Sequence, residues 1–321
     1  MDRGTHDSAS FAWKADSFAD ASQYRVDVHS DLSKAYEEVR SGRGFVIVRG
    51  LPLGGTLEEF IEAVREVGSH FGEPLSQNAQ GELIGHVIDA SGEDATPRMY
   101  RSNLELRPHN DITAMISLAC WQQAKAGGAS VVVSAVTVHD EIRRRAPGLL
   151  APLYRGYHYH RLGEQAADEE ATTPYRIPVF AQRNGELSCR YQRMGIAAGH
   201  RERGVPLTEE DVAAFNLFDE VARAPENRLS FFLERGDMIV INNYAVMHAR
   251  TQFQNFPEPG RERRLIRLWL DREDFRDVPR EFNHFRTNGV PPQAGASCTY
   301  DFKKLYAEDP VGTGGVPRVL S

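Results

Sequence analysis

The chain is predicted to be mainly β with flanking helices, an α+β fold whose strands build a double-sheet jelly roll. Three observations lead there. Short β-branched runs recur at irregular spacing. Only two or three segments carry a clear helical period. Strands and helices do not alternate strictly, as a doubly wound parallel sheet would require. No internal repeat or linker-like stretch divides the 321 residues. Residues 23–321 therefore read as one domain, preceded by a loose polar arm over 1–22 and closed by a Pro/Gly-rich, poorly ordered tail from about 272.

The elements follow in chain order. Asp31 to Arg40 reads as a short helix, and Phe45 to Arg49, an apolar run between glycines, as a buried strand. Thr56 with Glu59 three residues on is a capping box, and Phe60, Ala63, Val64 and Val67 follow at helical spacing, so 57–71 is a helix. Leu83 to Asp89 is a strand, and Ala95 to Leu106 has no clear type. The apolar run 112–121 is a strand. Ala126-Gly127-Gly128-Ala129-Ser130 is a tight turn feeding the strand Val131 to Val133. Val138 to Arg145 is helical. Leu153 to Arg161 alternates, which predicts a strand with Tyr157 and Tyr159 on one side and His158 and His160 on the other. Asn184-Gly185 joins two strand candidates as a hairpin. Thr208 with Asp211 opens a helix, Leu229 to Leu233 and Met238 to Ile241 are strands, and Arg263 to Asp271 is the last strand.

Composition narrows the function. The formal net charge of −7 and pI near 5.9 argue against a nucleic-acid partner, whose footprint would be a basic face. The basic runs Arg143 to Arg145 and Arg261 to Arg267 lack interleaved aromatics. Cys120, Cys189 and Cys298 are too few and too scattered for a disulfide framework or a zinc ribbon. No apolar stretch is long enough to span a bilayer, and Met1 to Ser10 has no secretory h-region. The expectation is a cytoplasmic protein that binds a small molecule and neither nucleic acid nor membrane. A homo-oligomer stays open.

The chemistry centres on Arg107-Pro108-His109-Asn110-Asp111. Residues i and i+2 at a strand end project from one face, so His109 and Asp111 can reach one metal ion. Two ligands are too few for a transition metal. The best third is His248, delivered by the apolar strand that Arg235-Gly236-Asp237 launches. Two imidazoles and one carboxylate that leave positions open are the ligand set of non-haem Fe(II) oxygenases. Each residue also has an ordinary reading, since HxD occurs by chance and a strand-end histidine is usually a packing residue. Arg263 and Arg267 are four apart on a strand and share a face. A guanidinium there is suited to gripping a carboxylate, although an exposed strand with surface ion pairs is the plainer reading. Ser130 offers a hydroxyl at a strand mouth. His158 and His160 form a rival metal pair with no nearby carboxylate before Glu164. Tyr100, Arg101 and Asn103, just upstream of the motif, are candidate substrate contacts. Gln77 and Asn78 follow a helix stop and read as ordinary loop residues near the pocket mouth.

Together, His109-x-Asp111, Gly127-Gly128-Ala129-Ser130, His248 and Arg263-x3-Arg267 resemble the TauD/TfdA family of Fe(II)- and 2-oxoglutarate-dependent dioxygenases, which adopt a double-stranded β-helix (jelly-roll) fold. The resemblance runs from Gly44 to Asp271. It implies that His109, Asp111 and His248 bind Fe(II). Arg263 would hold the distal carboxylate of 2-oxoglutarate, with Arg267 beside it on the cosubstrate or the substrate. Ser130 would stand where the family often has a threonine on the cosubstrate. It further implies that O2 and 2-oxoglutarate are consumed to give succinate and CO2, coupled to C–H oxidation of a small, anionic or amino-acid-like molecule, with hydroxylation the default. Asp111 is a true carboxylate, unlike the Ala or Gly of related halogenases. The alternative from another class is a jelly-roll binding protein without catalysis.

Overall fold

The computed structural model describes residues 8–90, 99–285 and 287–293. The first seven residues, Ala95 to Pro97, Cys298 and the tail past 293 lie outside the described residues. Two sheets carry the architecture. The larger has the strand order Arg25–Asp27, Phe45–Arg49, Met238–Asn242, Met115–Gln122, Arg264–Asp271, Glu73–Leu75, and Gly85–Val87 also pairs with Arg264–Asp271. It is antiparallel except for the parallel pair Arg25–Asp27 and Phe45–Arg49. The smaller sheet is fully antiparallel, in the order Arg228–Phe231, Ser130–Ser134, Val246–Arg250, Leu106–His109. Neighbouring strands come from distant parts of the chain, as a double sheet with crossing connections demands.

Strand alternation sorts the last long strand into two uses. Leu268 and Leu270 face the helix Leu57–Ser69, where a side chain on Gly68 would come within 2.7 Å of Leu268 Cδ1. Arg267 and Trp269 point the other way, towards the smaller sheet. The covering helix starts as its sequence predicts, with Thr56 and Glu59 capping each other reciprocally. It buries Phe60, Val64 and Val67. The hairpin also forms as read: Arg183 pairs with Glu186, and Asn184 and Gly185 take φ values of 49° and 82°, both positive as a two-residue loop matching the strand twist requires.

Four expectations need correction. Leu153 to Arg161 is no strand. Leu150–Arg155 is helical, and only isolated bridges at Tyr157 and His160 follow. Its alternation of Tyr and His reflects two buried rings, Tyr157 and Tyr159, set among loop backbone. The described part of the arm is not loose: Phe11 and Trp13 are buried in the core, and the Trp13 ring packs tilted against Phe45 with centroids 5.4 Å apart. The described residues after 272 pack onto the core, since Phe275, Phe282, Phe285 and Val290 are all buried. The strand expected from 112 starts at Met115, since Asp111 to Ala114 form the turn that shapes the site. One helix, Arg193–Glu202, has no counterpart in the sequence reading.

Candidate metal centre

His109 ends the strand Leu106–His109 and stands directly opposite His248 on Val246–Arg250. Opposed residues of an antiparallel pair share a face, and the two imidazole centroids are 4.3 Å apart. The pairing slips between His248 and Arg250, a bulge of the kind that re-aims side chains beside a site. Asp111 lies just past the strand end, in a turn fastened by Asn110 and Asn243. Asn110 Nδ2 donates to the Asn243 carbonyl (2.8 Å), and Asp111 N–H donates to Asn243 Oδ1 (3.1 Å). Asn243 Nδ2 donates to the carbonyls of Asp111 (2.6 Å) and Thr113 (2.7 Å). Arg190, 1% exposed, donates from the same guanidinium nitrogen to those two carbonyls.

One ligand atom from each of His109, Asp111 and His248 falls within 4.8 Å of the other two, the one such group among the described residues. Their neighbours leave the facing atoms available. His109 Nδ1–H donates to the Arg107 carbonyl at 2.8 Å, and a carbonyl only accepts, so in the neutral ring the lone pair is on Nε2. That Nε2 lies 3.6 Å from Asp111 Oδ1, too far for a hydrogen bond and suited to two ligands sharing a cation. Asp111 Oδ2 is held from the larger sheet, by Arg267 (3.1 Å) and by Trp269 Nε1–H (2.8 Å). Burial pushes the Asp111 carboxyl up, but Arg267 and then the two imidazoles outweigh it and hold it well below the usual carboxylate range. Burial, with His109 beside it, pulls His248 down to about 3, against the pull of Asp111, so its ring is neutral and able to ligate. His248 Nδ1 is buried without a hydrogen-bond partner.

Arg267 is itself fixed. Its Nε donates to Gln77 Oε1 at 2.7 Å, Gln77 Nε2 returns a bond to the Arg267 carbonyl at 3.0 Å, and the guanidinium lies 4.3 Å from the Tyr100 ring. Arg263 is 3% exposed, with its NH1 unpartnered. Its guanidinium lies 5.0 Å from the Phe253 ring, and burial lowers it to about 10. Beside it runs the bare backbone of Gly128, where a Cβ would meet Arg263 Nε at 3.0 Å. Ser130 opens its strand opposite Arg250 and is buried.

The structure thus brings together His109, Asp111, His248, Arg267 and Tyr100. Arg101 and Asn103 occupy the same upstream segment, Arg101 half-buried with its Nε unpartnered and Asn103 accepting the Phe253 N–H through its carbonyl. Asn78 serves its own loop, bonding Glu82. The rival pair does not assemble. His158 Nδ1 donates to the Thr173 carbonyl (2.9 Å) and His160 Nδ1 accepts from Leu162 N–H (2.8 Å). Sequence reasoning missed Trp269, Asn243, Arg190 and the true partner of Gln77. Trp269 was within reach of it, being two residues from Arg267 on a strand and hence on the same face. Arg190 carries no local signal.

Residues 12–269 match the taurine catabolism dioxygenase TauD, TfdA family. The chain is 31% identical over 262 residues to the FR-33289 synthase of Streptomyces rubellomurinus, covering 79% of this chain and 77% of that one. It is 24% identical over 246 residues to the taurine hydroxylase-like protein SAT17 of Stachybotrys chartarum, covering 72% of this chain and 62% of that one. Among solved structures, an asparagine oxygenase in complex with Fe(II), hydroxyasparagine and succinate superposes with a TM-score of 0.58 at 17% identity, over 74% of this chain and 78% of that one. The non-heme iron oxygenase OrfP superposes with a TM-score of 0.57 at 14% identity, over 82% and 86%. These two structures share the fold.

Proposed function

The chain belongs to the TauD/TfdA family of Fe(II)- and 2-oxoglutarate-dependent dioxygenases, and from that membership we propose that it hydroxylates a small anionic or amino-acid-like molecule at a centre formed by His109, Asp111 and His248. The observation that carries the assignment is the convergence of those three groups, with one oxygen of the carboxylate already held by Arg267 and Trp269. The donor set fits iron: two imidazoles and one ionised carboxylate, with His109 and Asp111 oriented by their own hydrogen bonds. Iron and 2-oxoglutarate, when bound, would let O2 act as the oxidant, one oxygen atom ending in succinate as 2-oxoglutarate loses CO2 and the other in the hydroxylated C–H position.

The chain's own residues do the rest. Trp269 and Arg267 fix one oxygen of Asp111 and leave the other for the metal. His109 is held in the tautomer that presents Nε2. Arg263 is assigned to the distal carboxylate of 2-oxoglutarate, supported by its burial and its unpartnered NH1, with Ser130 as an auxiliary donor. Arg267, the other candidate for the cosubstrate or the substrate, serves Asp111 and Gln77 first. Tyr100, Arg101 and Asn103 are assigned to the substrate, and the unpartnered Arg101 Nε favours an anionic group on it. Names of relatives agree in kind, since the asparagine oxygenase and OrfP are solved with hydroxylated amino acids.

The two sheets are read as the walls of a jelly roll, and residues 23–321 as one domain. No helix among the described residues is long and apolar enough to cross a membrane. The cytoplasmic placement rests on scarce cysteine, with Cys120 and Cys189 as free thiols. The test is succinate formation from 2-oxoglutarate with Fe(II), O2 and a panel of small acids and amino acids. Wild type should turn over and His248→Ala should not, and equal turnover would rule out the assigned centre.

A further inference from the structure

His248 is followed two residues later on its strand by a second buried cation, Arg250, which therefore projects from the same sheet face. It is 5% exposed. It stands directly opposite Ser130 in the register, again on that face. Its NH2 donates to the carbonyls of Ser102 (2.7 Å) and Leu104 (2.6 Å), which locks its pose. Its Nε and NH1 are buried with no partner. Arg263 reaches the same place from the other sheet, with its NH1 equally unpartnered. The guanidinium carbons of Arg250 and Arg263 lie 4.8 Å and 5.0 Å from the centroid of one ring, Phe253. Among the described residues neither forms an ion pair with a carboxylate. Asp89 is the acidic side chain whose charge bears on Arg250.

Two buried cations around one ring, with N–H groups left over, are costly unless an anion completes them. A carboxylate has about four lone-pair sites, enough for donors from two guanidinium groups at once. Beside Arg263 the chain is bare backbone at Gly127 and Gly128, with φ values of 68° and 75°, where a side chain on Gly128 would crowd Arg263 Nε at 3.0 Å. We propose that Arg250 is a second guanidinium for the distal carboxylate of 2-oxoglutarate, sharing it with Arg263 and the Ser130 hydroxyl. This rests on the cosubstrate reading given above. It extends that reading by making the subsite doubly cationic, and so selective for a 2-oxo diacid over a 2-oxo monoacid. The competing role is a clamp that only ties the 102–104 backbone to the sheet.

Anaerobic calorimetric titration of the Fe(II)-loaded protein separates the two. The probes are 2-oxoglutarate and 2-oxopentanoate, which has the same chain without the distal carboxylate. Arg250→Met should weaken 2-oxoglutarate binding by about 10-fold or more, the scale of a lost charged hydrogen bond. It should leave the affinities for 2-oxopentanoate and for Fe(II) as in wild type. An equal loss for both acids, or no loss, overturns the proposal in favour of the clamp. Should Arg250→Met not fold, Arg250→Lys keeps a charge and loses the planar fork. It should then show a smaller loss confined to 2-oxoglutarate, and a loss shared by both acids overturns the proposal. Arg263→Met tells the two levels apart. A loss seen only in Arg263→Met overturns the role of Arg250 alone, whereas intact 2-oxoglutarate binding in both variants overturns the cosubstrate reading as well.

Discussion

The molecule holds two clusters of histidines, and comparing them shows what makes an imidazole a ligand. In one, His109 and His248 face each other across two strands with Asp111 between them. In the other, His158, His160 and His200 crowd the loops around Tyr157 and Tyr159. His200 Nε2 accepts the His158 N–H at 3.2 Å, its Nδ1 donates to the Val205 carbonyl at 3.0 Å, and His158 Nδ1 is taken by the Thr173 carbonyl. Burial lowers the pKa of His158, His160, His200 and His248 alike. Burial therefore does not distinguish the clusters. The difference is that His160 and His200 each spend a lone pair on a backbone N–H, while His109 and His248 stand beside a buried carboxylate anchored by Arg267 and Trp269. The acid nearest His160, Glu202, is 4.0 Å away and 57% exposed, with no such anchor.

The sharpest way to break this contrast is to delete one histidine from each cluster. His248→Ala should lower Fe(II) affinity by more than about 100-fold, beyond the usual cost of losing a mere supporting contact, and abolish succinate formation. His160→Ala should leave Fe(II) affinity untouched and instead cost about 1–3 kcal/mol of stability, because a buried ring is lost and the part-buried Leu162 N–H loses its acceptor. Anaerobic Fe(II) titration and urea unfolding read the two arms. Metal loss in His160→Ala with retention in His248→Ala would reverse the assignment.

A smaller effect tests the anchor. Trp269→Phe keeps the ring and removes the indole N–H that holds Asp111 Oδ2. Fe(II) affinity should fall by about 10-fold, at the lower end for a supporting group. The comparable change in the other cluster, Thr173→Val, removes the hydroxyl that accepts the Tyr159 N–H at 3.0 Å and should not move metal affinity at all. Equal metal affinities in wild type and Trp269→Phe would show that the carboxylate needs no positioning.

Local pattern explains which parts of this were readable in advance. His109-x-Asp111 and Arg263-x3-Arg267 were legible as short-range spacings, although Asp111 lies in the turn past its strand and Arg263 just before its own, and the capping box at Thr56 and the turn at Asn184-Gly185 are local chemistry. His248 needed only the recognition that an apolar strand delivers it. The second cluster misled for the same reason that the first was found: Tyr157 to His160 alternates like a strand, but the alternation comes from two rings filling the core beneath a loop. Phe11 and Trp13 were lost in a polar composition, since two isolated aromatics give no period even when they are core residues. Arg190 and Asn243 act across long sequence separations onto backbone carbonyls, a relation fixed only by tertiary register.

The smallest expected effect concerns protons, and it treats the clusters as alike where the metal treats them as different. In the metal-free protein His158, His160, His200 and His248 each have a folded pKa below the unfolded value near 6.5, that of His248 at about 3. As pH falls below about 6.5, the unfolded chain takes up protons that the folded chain refuses, so stability falls with pH, by at most about 1.4 kcal/mol per pH unit for each histidine. Above that range none of them contributes a slope. Asp111 acts lower, since its depressed folded pKa adds stability that is lost only as pH drops through and below the ordinary carboxylate range. Urea unfolding at pH 7.0, 6.0 and 5.0 should therefore give a slope that shrinks by up to about one proton in either His160→Gln or His248→Gln. With Fe(II) present the two variants should part. Wild type and His160→Gln should gain metal-dependent stability that fades on acidification as protons compete for the ligands, and His248→Gln should gain almost none. A His248→Gln slope equal to wild type in the metal-free protein would mean that His248 is already charged when folded, and a charged imidazole could not serve as the ligand on which the contrast between the two clusters depends.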